Sequence, residues 1–267
     1  MHKDGTTVEH LKSERLEVHI YPNSRLAGIA AAEAAAAALK DIGRLHDCIG
    51  VIFATGASQI NTLDALTGTE GLPWDRVHGF HMDEYIGIDP DHSASFRRYM
   101  REKLMQKVPL KEFSEVNGSA PDPDTECKEY AAKLSSAKPQ LCLLGIGENG
   151  HLAFNDPDVA NFEDPFDVKI VHLDMVCRQQ QAAEGWFTSF DEVPESAITL
   201  TIPALFRVPK LIVSVPGIRK AGIMRRTLEE SMSTACPATI LRTHPDATVY
   251  LDIDSASELD RSRFTMI

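Results

Sequence analysis

The amino-acid sequence predicts a single α/β domain over residues 1–267, built on a mostly parallel, Rossmann-like sheet with helices on both faces. Short apolar runs alternate along the chain with longer amphipathic segments, which is the pattern of parallel strands joined by helices. Hydrophobic residues make up 43% of the chain and charged residues 25%, as in a globular protein with one large core. No internal repeat or low-complexity tract interrupts this alternation.

Seven apolar runs predict the strands of the sheet. They are residues 16–21, 48–54, 77–82, 139–145, 168–173, 209–215 and 247–253. The first predicted helix, an Ala-rich segment from Leu26, has high helix propensity, and another ends near Leu66. Further helices are predicted over 95–105 and over 122–136, where the acidic first turn suits the positive helix N-terminus. Residues 1–14 are predicted to be a flexible N-terminal extension.

Charge and cysteine content narrow the class of protein. The formal net charge of −12 argues against binding to nucleic acid or to an anionic membrane, where Lys and Arg must neutralise phosphates. Five scattered cysteines without a C-x-x-C pair are typical of reduced thiols in the cytoplasm. Residues 1–15 lack the apolar stretch of a secretory signal, and the apolar segment from Leu26 is too short for a membrane span. We expect a cytoplasmic protein with a small-molecule ligand, and a homo-oligomer is compatible with the sequence.

Ligands of parallel α/β sheets bind beyond the carboxyl ends of the strands, so the strand-to-loop junctions are the places to search. At the first junction, Thr55, Gly56, Ala57 and Ser58 follow a strand and open a helix. Small residues, hydroxyl groups and a helix N-terminus suit a phosphate group, although the P-loop pattern is absent. The alternative is that Ser58 is an ordinary helix cap.

The second junction is "FHMDEYIG", residues 80–87, where Asp83 and Glu84 stand at the end of a strand. A carboxylate buried there could have a shifted pKa and act as a general base. The alternative is that both carboxylates cap or solvate the following loop, in a chain that has 39 acidic residues.

The third junction is "LCLLGIGENGHLAFNDP", residues 141–157, in which Gly145, Gly147 and Gly150 spell G-x-G-x-x-G. This spacing is known from dinucleotide-binding loops, which require the glycines to open a long helix. Here Pro157 follows too soon for such a helix, and the segment before it has turn character. The glycine match therefore does not indicate a dinucleotide.

A catalytic interpretation of the same stretch remains. Its glycines, Gly147 among them, let the backbone approach a substrate, while His151 and Asp156 project into one pocket. A carboxylate beside an imidazole fixes its tautomer and stabilises its protonated form, which gives an acid–base group. No G-x-S-x-G nucleophile elbow is present, and the ten histidines include no helical metal-binding pair, so no metal site is predicted.

Together the three junctions resemble the glucosamine-6-phosphate deaminase/isomerase family and, more distantly, the 6-phosphogluconolactonases. The family pattern combines a T-G-x-[ST] loop, then "MDEY", then G-x-G-x-[DN]-G-H-x-x-F-N-[ED]-P. This chain meets it in the same order over roughly residues 15 to 255. The resemblance implies that the loop from Thr55 to Ser58 grips a sugar phosphate together with two cations, matched here by Arg178 and Lys220.

The resemblance also implies a reaction and the residues that perform it. His151, with Asp156 and Asn149 around it, would move the ring-oxygen proton and open the pyranose. Asp83 would then remove the C2 proton, giving an enolamine that regains a proton at C1. Water would release ammonia from the C2 imine and leave fructose 6-phosphate. The resemblance implies no cofactor.

Two departures from the family pattern affect this expectation. Asn149 replaces the aspartate of the best-studied branch, and Asp156 replaces the usual glutamate, which is one methylene longer. The shorter side chain is expected to lengthen the contact to His151 by about an angstrom unless the backbone shifts, and such misplacement is costly in rate. Three alternatives therefore stay open: galactosamine 6-phosphate as substrate, a lactone hydrolase, or a catalytically weakened sugar-phosphate binding protein.

Overall fold

A nine-stranded sheet forms the centre of the molecule in a computed structural model. The structure describes residues 9–183 and 185–267, without the side chain of Gln180. The strands are β1 (Glu9–Ser13), β2 (Leu16–Tyr21), β3 (Ile49–Phe53), β4 (Val77–His81), β5 (Asp83–Tyr85), β6 (Glu112–Ser114), β7 (Leu141–Leu144), β8 (Val168–His172), β9 (Ser196–Leu200), β10 (Lys210–Val215), β11 (Ala247–Asp252) and β12 (Thr265–Met266). The α-helices are α1 (Ser24–Leu45), α2 (Ile60–Thr67), α3 (Phe96–Met100), α4 (Pro123–Ala137), α5 (Met175–Ala183), α6 (Ile202–Phe206) and α7 (Ala221–Glu229).

The strand order of the large sheet is β12-β1-β2-β11-β10-β7-β3-β4-β6. The seven strands that run across the sheet in the order β2-β11-β10-β7-β3-β4-β6 pair in parallel with one another. At one edge, β1 pairs antiparallel with β2 and with β12. The predicted α/β fold with a mostly parallel sheet is therefore confirmed. Among the described helices, none combines the length and the apolar character that a membrane span requires.

The Ala-rich helix α1 forms as predicted and packs closely on the sheet. Asn23 caps it by accepting a hydrogen bond from the Leu26 amide over 3.0 Å. Ala27, Ala31 and Ala35 recur at the four-residue spacing of one helix face, and all three are buried. Their small side chains let the helix axis lie close to the strands beneath it.

The flexible extension predicted over residues 1–14 is wrong for residues 9–13, which form β1. Leu11 pairs with Val18 of β2 and is completely buried, so this short polar segment contributes an apolar side chain to the core. Its single buried leucine lies among charged neighbours, which is why hydrophobic periodicity does not reveal the strand. Residues 1–8 lie outside the described part of the chain.

The run 168–173 forms a strand, but β8 does not join the parallel sheet. It belongs to a second sheet of order β5-β9-β8, in which both pairs are antiparallel. Buried and exposed side chains mix along β8, as expected for an antiparallel strand with one covered face. This small sheet contains β5 and so places Asp83 near the carboxyl ends of the strands of the large sheet.

Candidate active site

A cavity of about 500 Å³ opens where loops after the neighbouring strands β10, β7, β3 and β4 converge. Eight residues predicted from the sequence line it: Thr55, Gly56, Ala57, Ser58, Asp83, Gly147, His151 and Lys220. Asn149 and Asp156 contact His151 but do not themselves line the cavity. The carboxyl edge of the sheet thus gathers most of the predicted site.

The loop after β3 is shaped for a helix start. Gly56 has a φ of +97°, which residues with a Cβ atom rarely adopt. A 3₁₀ turn over Ala57–Gln59 then leads into α2. Tyr99 Oη fixes the loop by donating a hydrogen bond to the Gly56 carbonyl oxygen over 2.9 Å. Ser58 makes no capping hydrogen bond, so the alternative that it is only a helix cap finds no support.

The loop after β10 repeats this design on the other side of the cavity. Gly217 has a φ of +95°, and a 3₁₀ turn over Ile218–Lys220 leads into α7. Two contacts from the Gly217 amide to the carboxylate oxygens of Asp252, at 3.0 and 3.1 Å, hold the turn. Lys220 is only 8% exposed and lines the cavity, which places a cation inside it.

Arg178 does not reach the cavity, so the prediction that it joins Lys220 there is not met in this structure. Its guanidinium donates a hydrogen bond to the Val193 carbonyl oxygen over 2.8 Å and lies 4.4 Å from the centroid of the Phe190 ring. These contacts hold the guanidinium beside the turn after α5, although its buried Nε has no hydrogen-bond partner in the described part of the chain. The second cation at the cavity is Arg219, which the sequence analysis did not single out.

Asp83 and Glu84 point in opposite directions because successive side chains alternate along β5. Asp83 lines the cavity, whereas Glu84 is fully buried on the other side and accepts hydrogen bonds from Ser95 Oγ (2.8 Å) and from the Arg97 amide (3.0 Å). Arg97 Nε lies 3.2 Å from the same carboxylate. The capping alternative therefore describes Glu84, and only Asp83 is placed for chemistry.

The Asp83 carboxyl group is 7% exposed, and its pKa is raised well above the ordinary aspartate value. Burial is the largest cause, followed by the negative charges of Glu84 and Asp156. A carboxylate with a raised pKa is a stronger base than one in water, so this position suits proton abstraction near neutral pH.

His151 and Asp156 lie in contact, as the predicted acid–base pair requires. His151 Nδ1 lies 2.9 Å from Asp156 Oδ1, so the lengthening expected from the shorter side chain does not occur. Burial opposes ionisation of Asp156, but its contacts with His151, Asn149 and Cys177 outweigh burial and lower its pKa. Asn149 organises the pair by accepting a hydrogen bond from the His151 amide (3.0 Å) and donating one to Asp156 (2.8 Å).

Gly147 makes room for the imidazole. A Cβ atom at this position would lie 2.1 to 2.4 Å from three ring atoms of His151, closer than non-bonded atoms can approach. The sequence predicts that this glycine lets a substrate approach, whereas the immediate neighbour of Gly147 is the His151 ring.

Asp174 and Gln181 also belong to this region, and sequence reasoning missed both. Asp174 Oδ2 lies 3.3 Å from Asn149 Nδ2, and its other oxygen accepts a hydrogen bond from the Cys177 amide over 2.6 Å. Gln181 lines the cavity from α5. An aspartate just before a helix was the only signal available, and it indicates a cap rather than a site.

His151, Asp156 and Cys177 offer potential metal-ligand atoms that lie within 4.8 Å of one another. Burial and then the charge of Asp156 raise the pKa of the Cys177 thiol well above its ordinary value. Metals bind the thiolate form, so a thiol held protonated beside a carboxylate suits a hydrogen-bonded cluster better than a metal centre.

The family of the chain follows from comparison with known proteins. A family model described as glucosamine-6-phosphate isomerases/6-phosphogluconolactonase matches residues 23–250. The chain belongs to this family. A glucosamine-6-phosphate deaminase of Geobacillus sp. (strain WCH70) is 35% identical over 211 residues, covering 77% of this chain and 82% of that protein. Another, from Exiguobacterium sp. (strain ATCC BAA-1283 / AT1b), is 33% identical over 217 residues, covering 81% and 83%.

Solved structures of the glucosamine-6-phosphate isomerase/6-phosphogluconolactonase family share the fold. A monomeric glucosamine-6-phosphate deaminase superimposes with a TM-score of 0.82 at 29% identity, covering 90% of this chain and 99% of that one. The 6-phosphogluconolactonase of Thermotoga maritima reaches a TM-score of 0.71 at 21% identity, covering 88% and 98%, and this likeness concerns the fold alone. The resemblance predicted from the three junctions is confirmed.

Proposed function

We propose that the protein converts glucosamine 6-phosphate and water into fructose 6-phosphate and ammonia. One observation carries this proposal: Asp83 and His151 line the same cavity as Lys220 and the loop from Thr55 to Ser58. A base, an acid–base imidazole and an anion-binding end are the three elements that such a reaction needs within the length of one sugar phosphate.

The phosphate group would lie between the two glycine turns. Lys220 supplies a cation, and the helix start after Gly56 supplies backbone N–H groups and the Ser58 hydroxyl. Arg219 adds a second cation at the rim, where its Nε also lies 3.2 Å from Glu148. In this proposal Arg219 replaces Arg178 in the grip, because only Arg219 lines the cavity.

Asp83 and His151 would act in turn on the sugar. His151 shuttles the proton that opens the ring, and Asp156 stabilises the charged imidazole. Asp83 then takes the C2 proton, the C2–H electron pair forms a C1=C2 bond, and the C1 carbonyl oxygen gains a proton, which gives the enolamine. A proton then adds at C1 while the nitrogen lone pair forms the C2 imine. Water adds to the resulting C2 imine, the C–N bond breaks, and ammonia leaves.

Ammonia release from a panel of substrates tests the proposal. We expect turnover of glucosamine 6-phosphate, little or none of unphosphorylated glucosamine, and no hydrolysis of 6-phosphogluconolactone. Galactosamine 6-phosphate belongs in the panel because the geometry does not distinguish the two amino sugars. Lactone hydrolysis without ammonia release would identify a lactonase instead. Sugar-phosphate binding without either reaction would identify a binding protein.

A further inference from the structure

Gln181 places a buried amide at the wall of the cavity. The side chain is 7% exposed, lines the cavity from α5, and accepts a hydrogen bond at Oε1 from Tyr85 Oη over 2.8 Å. Tyr85 is completely buried, so this bond fixes which way the amide faces. Among the described residues, Gln181 Nε2 has no hydrogen-bond acceptor, although most buried amides are paired.

The Gln181 amide lies on the side of the cavity where Asp83 stands, away from the glycine turns proposed to bind the phosphate. Tyr85 and Asp83 are two residues apart on β5, so their side chains lie on the same face of the strand. The Tyr85 ring packs against Phe96 and Phe154, with ring centroids 5.0 and 5.3 Å apart, and both phenylalanines line the cavity. Gln181 therefore belongs to the part of the wall built around β5, whereas the glycine turns follow β3 and β10.

We propose that Gln181 is a specificity-determining residue whose Nε2 donates a hydrogen bond to a hydroxyl or carbonyl oxygen of the sugar chain. This inference rests on the proposed function for the identity of the ligand as a sugar phosphate. The Tyr85 hydroxyl has a positioning role, since it occupies Oε1 and leaves only the donor side of the amide for the ligand. A site that pairs a buried amide with a ligand oxygen also rejects molecules that lack this oxygen.

Equilibrium binding to the full chain tests the inference with Gln181→Leu and Tyr85→Phe, using Gln179→Leu as the control because Gln179 is an exposed residue of the same helix. The probes are fructose 6-phosphate and inorganic phosphate. We expect Gln181→Leu to weaken fructose 6-phosphate about tenfold, as one lost hydrogen bond implies, and to leave phosphate affinity unchanged. Tyr85→Phe should weaken the sugar phosphate less, and Gln179→Leu should change neither.

Two results would overturn the inference: unchanged fructose 6-phosphate affinity in Gln181→Leu, or an equal loss for both probes, which would indicate general damage to the cavity. Circular dichroism and thermal unfolding of each variant identify misfolding, and Gln181→Met, which keeps a similar length without charge and removes the donors, then provides the second measurement. Binding without ammonia release in the unmodified chain would refute the proposed function alone. No binding of either probe would refute both.

Discussion

Gly147 is the residue on which the position of the imidazole depends most directly. We expect Gly147→Ala to displace the His151 ring and to lower kcat about 100-fold, because a catalytic group moved by an angstrom loses that much rate. Phosphate affinity should stay within about twofold, since the glycine turns are untouched. The matched control is Gly222→Ala in α7, where the nearest atom to an added Cβ is 3.7 Å away. Normal kcat in Gly147→Ala would mean that His151 is not needed where the structure places it.

The ionised Asp83 carboxylate is expected to be needed for turnover and, at the same time, to lower the stability of the folded protein. Its folded-state pKa is raised, so its ionised form is destabilising, and this cost develops as pH rises from the ordinary aspartate value through the raised one. We therefore expect Asp83→Asn to increase the free energy of unfolding at pH 8 but not at low pH, while lowering turnover about 1,000-fold or more. Urea unfolding at several pH values measures the first effect. Asp158→Asn, at an exposed aspartate, is the control and should change neither.

The same shift determines the pH dependence of the reaction. Because Asp83 must be ionised to accept a proton, kcat/KM should fall as pH decreases through its raised pKa. This fall should begin at a higher pH than that of an ordinary aspartate with a pKa of 3.8. A kcat/KM profile that stays flat down to pH 4 would contradict the role of Asp83 as the base.

The site residues that belong to family motifs could be predicted from the sequence. Residues whose position at the cavity depends only on tertiary packing could not. Asp83 lies just after β4 and His151 after β7, and these two strands flank β3, so both residues reach the same carboxyl edge of the sheet, as expected from the sequence. Arg178 lies outside the cavity because its guanidinium turns toward carbonyl groups near Val193, a placement that no motif indicates. Gln181 belongs to no motif, and its importance arises from the distant Tyr85.

At the scale of elements, the buried pair of Glu84 and Arg97 ties β5 to the start of α3. We expect Glu84→Gln to destabilise the protein by about 3 to 5 kcal/mol, because the Arg97 charge would stay buried without its partner. Glu102→Gln removes a solvent-exposed pair with Arg98 and should cost far less, because water screens this pair. Comparing the urea midpoints of the two variants tests the difference. Equal midpoints would show that Glu84 does not anchor the helix.

The strand β1 offers a second test at this scale. Leu11→Ala should cost about 2 to 5 kcal/mol in free energy of unfolding if the strand is docked, since it removes a fully buried leucine. Lys12→Ala, at its exposed neighbour, should have little effect. Unchanged stability in Leu11→Ala would restore the flexible extension predicted from the sequence.

Strands of the parallel sheet were predictable because they are continuous apolar runs, as β3 and β7 are. Short or antiparallel strands were not, since β5 has three residues and is held by pairing with β9 rather than by its own pattern. The consequence for function is direct: the strand that positions Asp83 is the kind that periodicity does not detect.

For the whole molecule, the proposed phosphate site depends on local rather than net charge. The net charge is −12, yet Lys220 and Arg219 line the cavity together with two helix starts. Repulsion from distant carboxylates is screened beyond about 8 to 10 Å at cellular salt, so the affinity for an anion depends on the charges that line the cavity, which include Asp83, Asp252 and Asp254 as well as the two cations. The topology makes this arrangement possible, because β10 and β3 flank β7 and bring both glycine turns beside the His151 loop.

Glucosamine 6-phosphate labelled with deuterium at C2 gives the most direct test of the central claim, that Asp83 and His151 act on one sugar phosphate. With the unmodified chain we expect ammonia release together with loss of the label from C2. With Asp83→Asn we expect no ammonia and full retention of the label at C2. Ammonia release by Asp83→Asn at the unmodified rate would contradict the proposed chemistry.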